Sequence, residues 1–203
     1  MPAPWQEIDA WPVVAPLATI ATAVLLRHLH RRQALNVPRA LLAVFMCVYG
    51  AGVVASTVFP VVVGRSGSGL PWWEMLNLVP LVGTEPADML QNVVVLLPMG
   101  FLVPLLGWGR SAGRALLGGF LLSLAIETAQ VVQSQVGQGG HVGDVNDLLA
   151  NCLGAVLGHG IFRLCLRVPA LERLAAAATW PGTTPRTPAG APVVDAAEGS
   201  AEG

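Results

Sequence analysis

The sequence predicts an all-α, polytopic membrane helix bundle with about five transmembrane helices and a disordered C-terminal tail. Hydrophobic residues make up 54% of the 203 residues and charged residues only 11%, less than half of the roughly 25% that is usual in soluble domains. Several apolar segments approach the length of about 20 residues that a helix needs to cross a bilayer. The basic residues, all of them arginine, also fall almost entirely on one side of the resulting topology.

Composition excludes some functional classes as well. A net charge of −1 argues against a nucleic-acid-binding protein, which would be basic. Cys47, Cys152 and Cys165 lie in apolar segments without CxxC spacing, the pattern of small hydrophobic core residues. The sequence therefore predicts no disulfide, no cofactor and no metal site.

The first two spans are predicted at residues 11–26 and 40–63. Arginines follow the first apolar run instead of preceding it, which favours a retained span with an external N-terminus over a cleaved signal peptide. Residues 1–40 therefore form an N-terminal unit of one helix and a basic loop. A long connector, residues 64–88, carries Trp72 and Trp73, and tryptophan favours the membrane interface. We expect this connector either to lie on the surface or to re-enter the membrane as a cap.

Three further spans are predicted at residues 90–108, 115–132 and 148–166. With the N-terminus outside, ten arginines fall on the cytoplasmic side and only Arg65 on the other, a strong positive-inside bias. Residues 41–168 thus form the main membrane domain. Residues 169–203 are rich in Ala, Gly, Pro and Thr and are expected to be a disordered cytoplasmic tail, although a helix could continue past the membrane over residues 170–178.

Two stripes of small and polar residues organise the last two spans. Each stripe lies on one face of its helix, because the helical period is about 100° per residue. The first is Ala115, Gly119, Ser123 and Glu127, and the second is Asp147, Asn151, Gly154 and Gly158. We expect these faces to pack together through the glycines, since small residues allow close backbone approach in membranes.

The polar side chains of these spans predict a binding site near the outer surface. A carboxylate such as Glu127 is costly in lipid, so it should face protein or a water-filled cavity. The candidate binding residues are Asn92, Glu127, Gln130, His141, Asp144, Asp147 and Asn151.

Each of these residues also has a purely structural interpretation. Glu127 could be held by polar neighbours such as Gln130. Asp144 and Asp147 could cap the fifth helix and complement its dipole, although capping does not explain Asn151 one turn deeper. His141 could be a solvated loop residue. The spacing of the carboxylates is not diagnostic of a metal site.

Four sequence pieces in a fixed order resemble the VanZ-like family of bacterial membrane proteins. They are Asn77-Leu78-Val79-Pro80, then Asn92 followed by Leu97-Pro98-Met99-Gly100-Phe101, then Ser123-x-x-Ile126-Glu127-x-x-Gln130, and finally Asp144-x-x-Asp147-x-x-x-Asn151-x-x-Gly154-x-x-x-Gly158. The resemblance spans roughly residues 41–166. One departure is His141, which stands where the family often has an arginine that could clamp an anion.

The resemblance implies a multi-pass protein of the bacterial plasma membrane, from a family named after a protein associated with teicoplanin resistance. Three functions stay open. The first is a non-enzymatic protein whose outward polar cleft binds a membrane lipid headgroup, a lipid-linked cell-wall precursor or a glycopeptide antibiotic. The second is a membrane enzyme that acts on a lipid-linked substrate and uses Glu127 or the aspartate pair as acid, base or metal ligand. The third is a proton-coupled transporter or scramblase. The sequence does not determine the oligomeric state.

Overall fold

The computed structural model describes residues 6–63, 69–83, 85–135 and 143–182. The helices of this part are α1 Trp11–Arg31, α2 Val37–Val58, α3 Pro86–Leu105, α4 Ala112–Gln135, α5 Val145–Cys165 and α6 Pro169–Ala178. Helices α1 to α5 are each long and apolar enough to cross a membrane. The predicted all-α bundle with five candidate spans is therefore confirmed.

The helices begin a few residues earlier than predicted wherever a capping signal precedes the apolar run. α2 starts after Asn36, whose side chain accepts a hydrogen bond from the Arg39 amide at 2.8 Å. α3 starts at Pro86 and α5 directly after Asp144. Proline in the first turn and a polar N-cap both favour helix initiation. The sequence prediction followed apolarity, so it missed these polar first turns.

Helix α5 lies at the centre of the bundle, packed chiefly against α3 and also against α4. α2 contacts α1, α4 and α6. Most of α1 is exposed, whereas α5 has the largest buried share among the five long helices. The polar residues of α5 are thus enclosed by protein on two sides.

Gly154 and Gly158 of α5 pack on α3 and not on α4, the helix that the stripes predict. A side chain at Gly154 or Gly158 would collide with the backbone carbonyls of Val93 and Leu97 on α3. Gly119 of α4, in contrast, lies against Ala155 of α5. The expectation that Gly154 and Gly158 join α5 to α4 is therefore wrong. A stripe pattern shows which face is small, but it does not show which neighbour occupies that face.

Two short sheets accompany the helices in the described part of the chain. β1 Gln6–Ile8 pairs with β2 Val61–Val63 in antiparallel fashion. β3 Leu76–Asn77 pairs with β4 Gly143–Asp144 in parallel, with Asn77 opposite Asp144. This second pair ties part of the long connector to the start of α5. Non-local pairings of two or three residues carry almost no periodic signal in a sequence.

Helix α6 occupies the first ten residues of the predicted tail, so this part of the tail is folded. Asn36 and Arg39 donate hydrogen bonds to the carbonyls of Ala177 and Thr179, at 3.1 and 2.9 Å. The Trp180 amide donates to the Leu105 carbonyl at 2.8 Å. These bonds attach α6 to the ends of α2 and α3. The prediction of disorder for residues 183–203 lies outside the described residues.

Candidate functional site

The structure brings four of the predicted site residues together at one end of the bundle. Glu127 comes from α4, Asp144 and Asp147 from the start of α5, and Asn92 from α3. We call Glu127, Asp144 and Asp147 the carboxylate cluster. Hydrogen bonds and electrostatic interactions connect its members directly, as described below. His141, another predicted site residue, lies outside the described residues.

Glu127 is buried and holds the start of α5. Its Oε2 atom accepts a hydrogen bond from the backbone N–H of Asp144 at 2.9 Å, and only 9% of the residue is exposed. Bonds from backbone donors to charged acceptors are among the stronger hydrogen bonds in proteins. Glu127 therefore has a structural role in joining α4 to α5, in addition to any role in binding.

Asp144 is the N-cap of α5 and also reaches the connector. Its Oδ1 atom accepts from the backbone and side-chain nitrogens of Asn146, at 2.8 and 2.9 Å. Its Oδ2 atom accepts from Nδ2 of Asn77 at 3.0 Å. Asp144 therefore caps the N-terminus of α5, as its capping interpretation predicts. The same carboxylate links the connector to the bundle.

Asn146 fixes the connector over the site. It is fully buried, and its Oδ1 atom accepts a hydrogen bond from the Leu81 amide at 2.6 Å. Asn77 supports the same segment by donating to the Val82 carbonyl at 3.0 Å. The sequence leaves the placement of the connector open. In the structure, residues 76–82 are hydrogen-bonded to the start of α5.

Asp147 faces α3. Its carboxylate lies close to the Asn92 side chain and within electrostatic range of the Asp144 and Asp88 carboxylates. Glu127 is likewise subject to repulsion from Asp144 and Asp147. Several carboxylates therefore share one end of the bundle. Backbone and side-chain amides donate the hydrogen bonds that Glu127 and Asp144 accept.

Asn151 lies one turn deeper and does not reach the carboxylates by any hydrogen bond seen in the described residues. Its Nδ2 atom donates to the Ser123 hydroxyl of α4 at 2.9 Å. Both residues are buried, and the Asn151 Oδ1 atom has no partner among the described residues. Asn151 therefore joins α4 to α5 inside the bundle.

A largely apolar pocket opens beside the carboxylate cluster. Its volume is about 380 Å³, within the usual range of small-molecule sites. Glu127 and Asp144 are its only charged lining residues among those described. The lining residues among those described are Trp72, Leu76, Leu78, Leu124, Glu127, Thr128, Val131, Val132, Gly143, Asp144, Val145 and Leu148.

Sequence reasoning missed several residues of this site. Asn77 belongs to the Asn-Leu-Val-Pro piece of the family resemblance, so a signal was present, but no site role was assigned to it. Asn146 lies beside two recognised aspartates and carried no signal of its own. Gln130, which was predicted to belong to the site, is half-buried and contributes none of the hydrogen bonds described here.

Within the described residues, no group of three or more His, Cys, Asp or Glu side chains is placed to hold a metal ion. What the arrangement offers is a set of carboxylate acceptors beside an apolar cavity. Such a site can accept hydrogen bonds from a ligand or pair with a cationic group. Five apolar helices and this polar end define a multi-pass, all-α membrane protein.

The family follows from a comparison of the sequence with family models. The model described as VanZ/LLP1 matches residues 44–166, which is more than half of the chain and includes α3, α4, α5 and the carboxylate cluster. The chain therefore belongs to the VanZ/LLP1 family. No curated protein and no solved structure matches it.

Proposed function

We propose that this protein binds an amphiphile of the bacterial cell envelope at the carboxylate cluster and the adjoining pocket. The observation that carries the proposal is the composition of that pocket. Among the described lining residues, Glu127 and Asp144 carry carboxylates and the others are almost wholly apolar. A ligand that matches this lining has an apolar part and a polar head that donates hydrogen bonds or carries positive charge.

The electrostatics of the cluster support the same class of ligand. Asp147 and Glu127 are both repelled by neighbouring carboxylates. An ammonium group or several hydroxyl donors at this point would relieve the repulsion, because opposite charge favours the ionised form of a carboxylate. A ligand with an anionic head would add to the repulsion. We therefore expect the cluster to disfavour purely anionic lipids.

The side of the membrane is part of the proposal. From the arginine asymmetry we infer that the N-terminus and the carboxylate end lie outside and the C-terminus lies in the cytoplasm. An outward site in the plasma membrane would meet lipids, lipid-linked cell-wall precursors and glycopeptides such as teicoplanin. Their shared amphiphilic chemistry is what the pocket fits, and resistance to teicoplanin would be one consequence of binding it.

Native mass spectrometry of the protein extracted with its own lipids tests this proposal. Thr128→Phe places a ring in the pocket lining, whereas Ala125→Phe adds the same ring to another exposed position of α4 that does not line the pocket. We expect Thr128→Phe to lose most of the co-purified amphiphile and to bind added teicoplanin at least tenfold more weakly. Ala125→Phe should behave as the wild type.

Two results would contradict the proposal. One is equal retention of amphiphile by Thr128→Phe and Ala125→Phe, which would remove the pocket from the binding site. The other is a bound anionic lipid that Thr128→Phe removes and Ala125→Phe retains, because that result would place an anionic head beside the carboxylates. Turnover of the bound molecule, or flux coupled to protons, would instead favour the enzyme or the transporter.

A further inference from the structure

A second cavity lies at the end of the bundle opposite the carboxylate cluster. Its volume is about 590 Å³, and it is lined by Arg110, Gly160, Arg163, Leu164, Leu166 and Arg167. We call it the arginine pocket. We propose that it binds a phosphate-bearing anion, supplied by either a lipid headgroup or a phosphorylated solute.

The charge of the pocket carries the first step of the argument. Three guanidinium groups line one cavity, and its lining holds no carboxylate among the described residues. Along the described chain after Asp147, Glu172 is the single acidic residue. Arginine presents a planar fork of donors that matches phosphate oxygens and can bind them in pairs. An anion would therefore offset three positive charges that are grouped together.

The general preference for arginine on the cytoplasmic side of a membrane does not by itself explain why these three arginines share one pocket. Arg163 in the last turn of α5 complements the helix dipole, but the dipole does not account for Arg110, which comes from the segment between α3 and α4. Elsewhere, the side chains of Arg39 and Arg173 donate hydrogen bonds to backbone carbonyls. The pocket instead combines arginines from two separate elements.

Gly160 gives the pocket its space. A Cβ atom added there would meet no other atom within 4 Å, so the open volume extends to the backbone of α5. The lining leucines Leu164 and Leu166 add an apolar border beside the arginines. This combination suits a phosphate group that carries an attached apolar or glycerol portion at the membrane surface.

The first test removes charge from the full-length protein in neutral detergent. The triple variant Arg110→Gln/Arg163→Gln/Arg167→Gln is compared with Arg27→Gln/Arg31→Gln/Arg32→Gln, which removes the same charge from exposed arginines outside the pocket. Binding of phosphatidylglycerol and of glycerol 3-phosphate is measured by native mass spectrometry. We expect the pocket variant to raise the Kd of at least one probe tenfold or more, and the control less than twofold.

The second test keeps the charge and fills the space. Gly160→Leu projects a side chain into the open volume, while Gly52→Leu adds the same side chain at an exposed position of α2 where there is also no atom within 4 Å. We expect only Gly160→Leu to weaken binding, with both variants melting near the wild-type temperature. This pair keeps the test decisive even if the triple arginine variant fails to fold.

The two probes distinguish the sources of the anion. If the pocket variants weaken the binding of phosphatidylglycerol alone, the anion is a lipid headgroup. If they weaken the binding of glycerol 3-phosphate, it is a phosphorylated solute. The proposal is overturned if Gly160→Leu leaves both probes unaffected, or if the two arginine triples weaken binding equally. Equal weakening would mean that net charge alone attracts the anion. Neither outcome depends on the amphiphile site at the other end of the bundle.

Discussion

The Oε2 atom of Glu127 accepts a hydrogen bond from the backbone N–H of Asp144 at 2.9 Å. One carboxylate therefore fixes the start of α5 while lining the pocket beside it. This double use separates two kinds of substitution at residue 127. An amide can still accept the hydrogen bond, whereas an apolar side chain cannot.

Glu127→Gln should keep the fold and lose ligand binding. The amide oxygen can replace Oε2 as acceptor, so we expect the free energy of unfolding to change by less than about 1 kcal/mol. Glu127→Leu leaves the Asp144 N–H without its partner and should cost about 1–3 kcal/mol. Denaturant unfolding in detergent measures both. Equal stability of the two variants would show that the hydrogen bond does not matter.

Gly158→Ala should loosen the contact between α5 and α3. The added Cβ would meet the Leu97 carbonyl, and overpacking of this kind typically costs about 1–3 kcal/mol. Gly160→Ala is the matched control on the same helix, because its Cβ would meet nothing. We expect the control to be neutral or stabilising by up to about 1 kcal/mol. Thermal unfolding in detergent gives the comparison, and equal melting temperatures would contradict the packing.

Asn146→Leu should release the connector from the bundle. The substitution removes the acceptor of the Leu81 amide and should destabilise the protein by about 1–3 kcal/mol. Hydrogen exchange should accelerate first at the amides of Val79, Leu81 and Val82. Val79→Ala changes an exposed side chain of the same segment and should leave exchange as in the wild type. Unchanged exchange in Asn146→Leu would mean that other contacts hold the segment.

The orientation in the membrane stays a prediction of the arginine asymmetry. In a background without the native cysteines, Trp73→Cys should react with a membrane-impermeant maleimide in intact cells, and Ala112→Cys should be protected. Both positions are exposed on the protein surface, so protection must come from the membrane. Reaction of Ala112→Cys before lysis would reverse the topology.

The fold was predictable because the features that define it are local. Apolar segments of sufficient length, together with one-sided arginines, specify five spans without any knowledge of contacts. The partner of each helix face was not predictable in the same way. The small-residue face that holds Gly154 and Gly158 was identified correctly, but α3 rather than α4 occupies it.

The candidate site was also predictable only in part. Polar residues inside apolar helices, such as Glu127 and Asp147, are conspicuous because lipid does not tolerate them. Asn77 and Asn146 lie in segments where polar residues are ordinary, so neither one stands out. Their roles depend on the pairing of Asn77 with Asp144 across two short strands, and this contact joins residues far apart in the chain.

Asp147 and Asn92 should be energetically coupled. The Asp147 carboxylate lies close to the polar side chain of Asn92, so Asp147→Ala and Asn92→Ala remove the same polar contact. A double-mutant cycle on unfolding in detergent should give a coupling of about 0.5–3 kcal/mol. Combining Asp88→Ala with Asp147→Ala should give a coupling of the opposite sign, because those two carboxylates repel each other.

Asp147→Asn then separates a structural role from a binding role. Asparagine keeps a polar side chain beside Asn92 and is also tolerated in the first turn of a helix, so stability should stay close to that of the wild type. The lost charge should still reduce amphiphile binding about tenfold, as measured by native mass spectrometry with added teicoplanin. If Asp147→Asn binds as well as the wild type while Asp147→Ala is destabilised, Asp147 serves only to join α5 to α3, and the binding site is confined to Glu127 and Asp144.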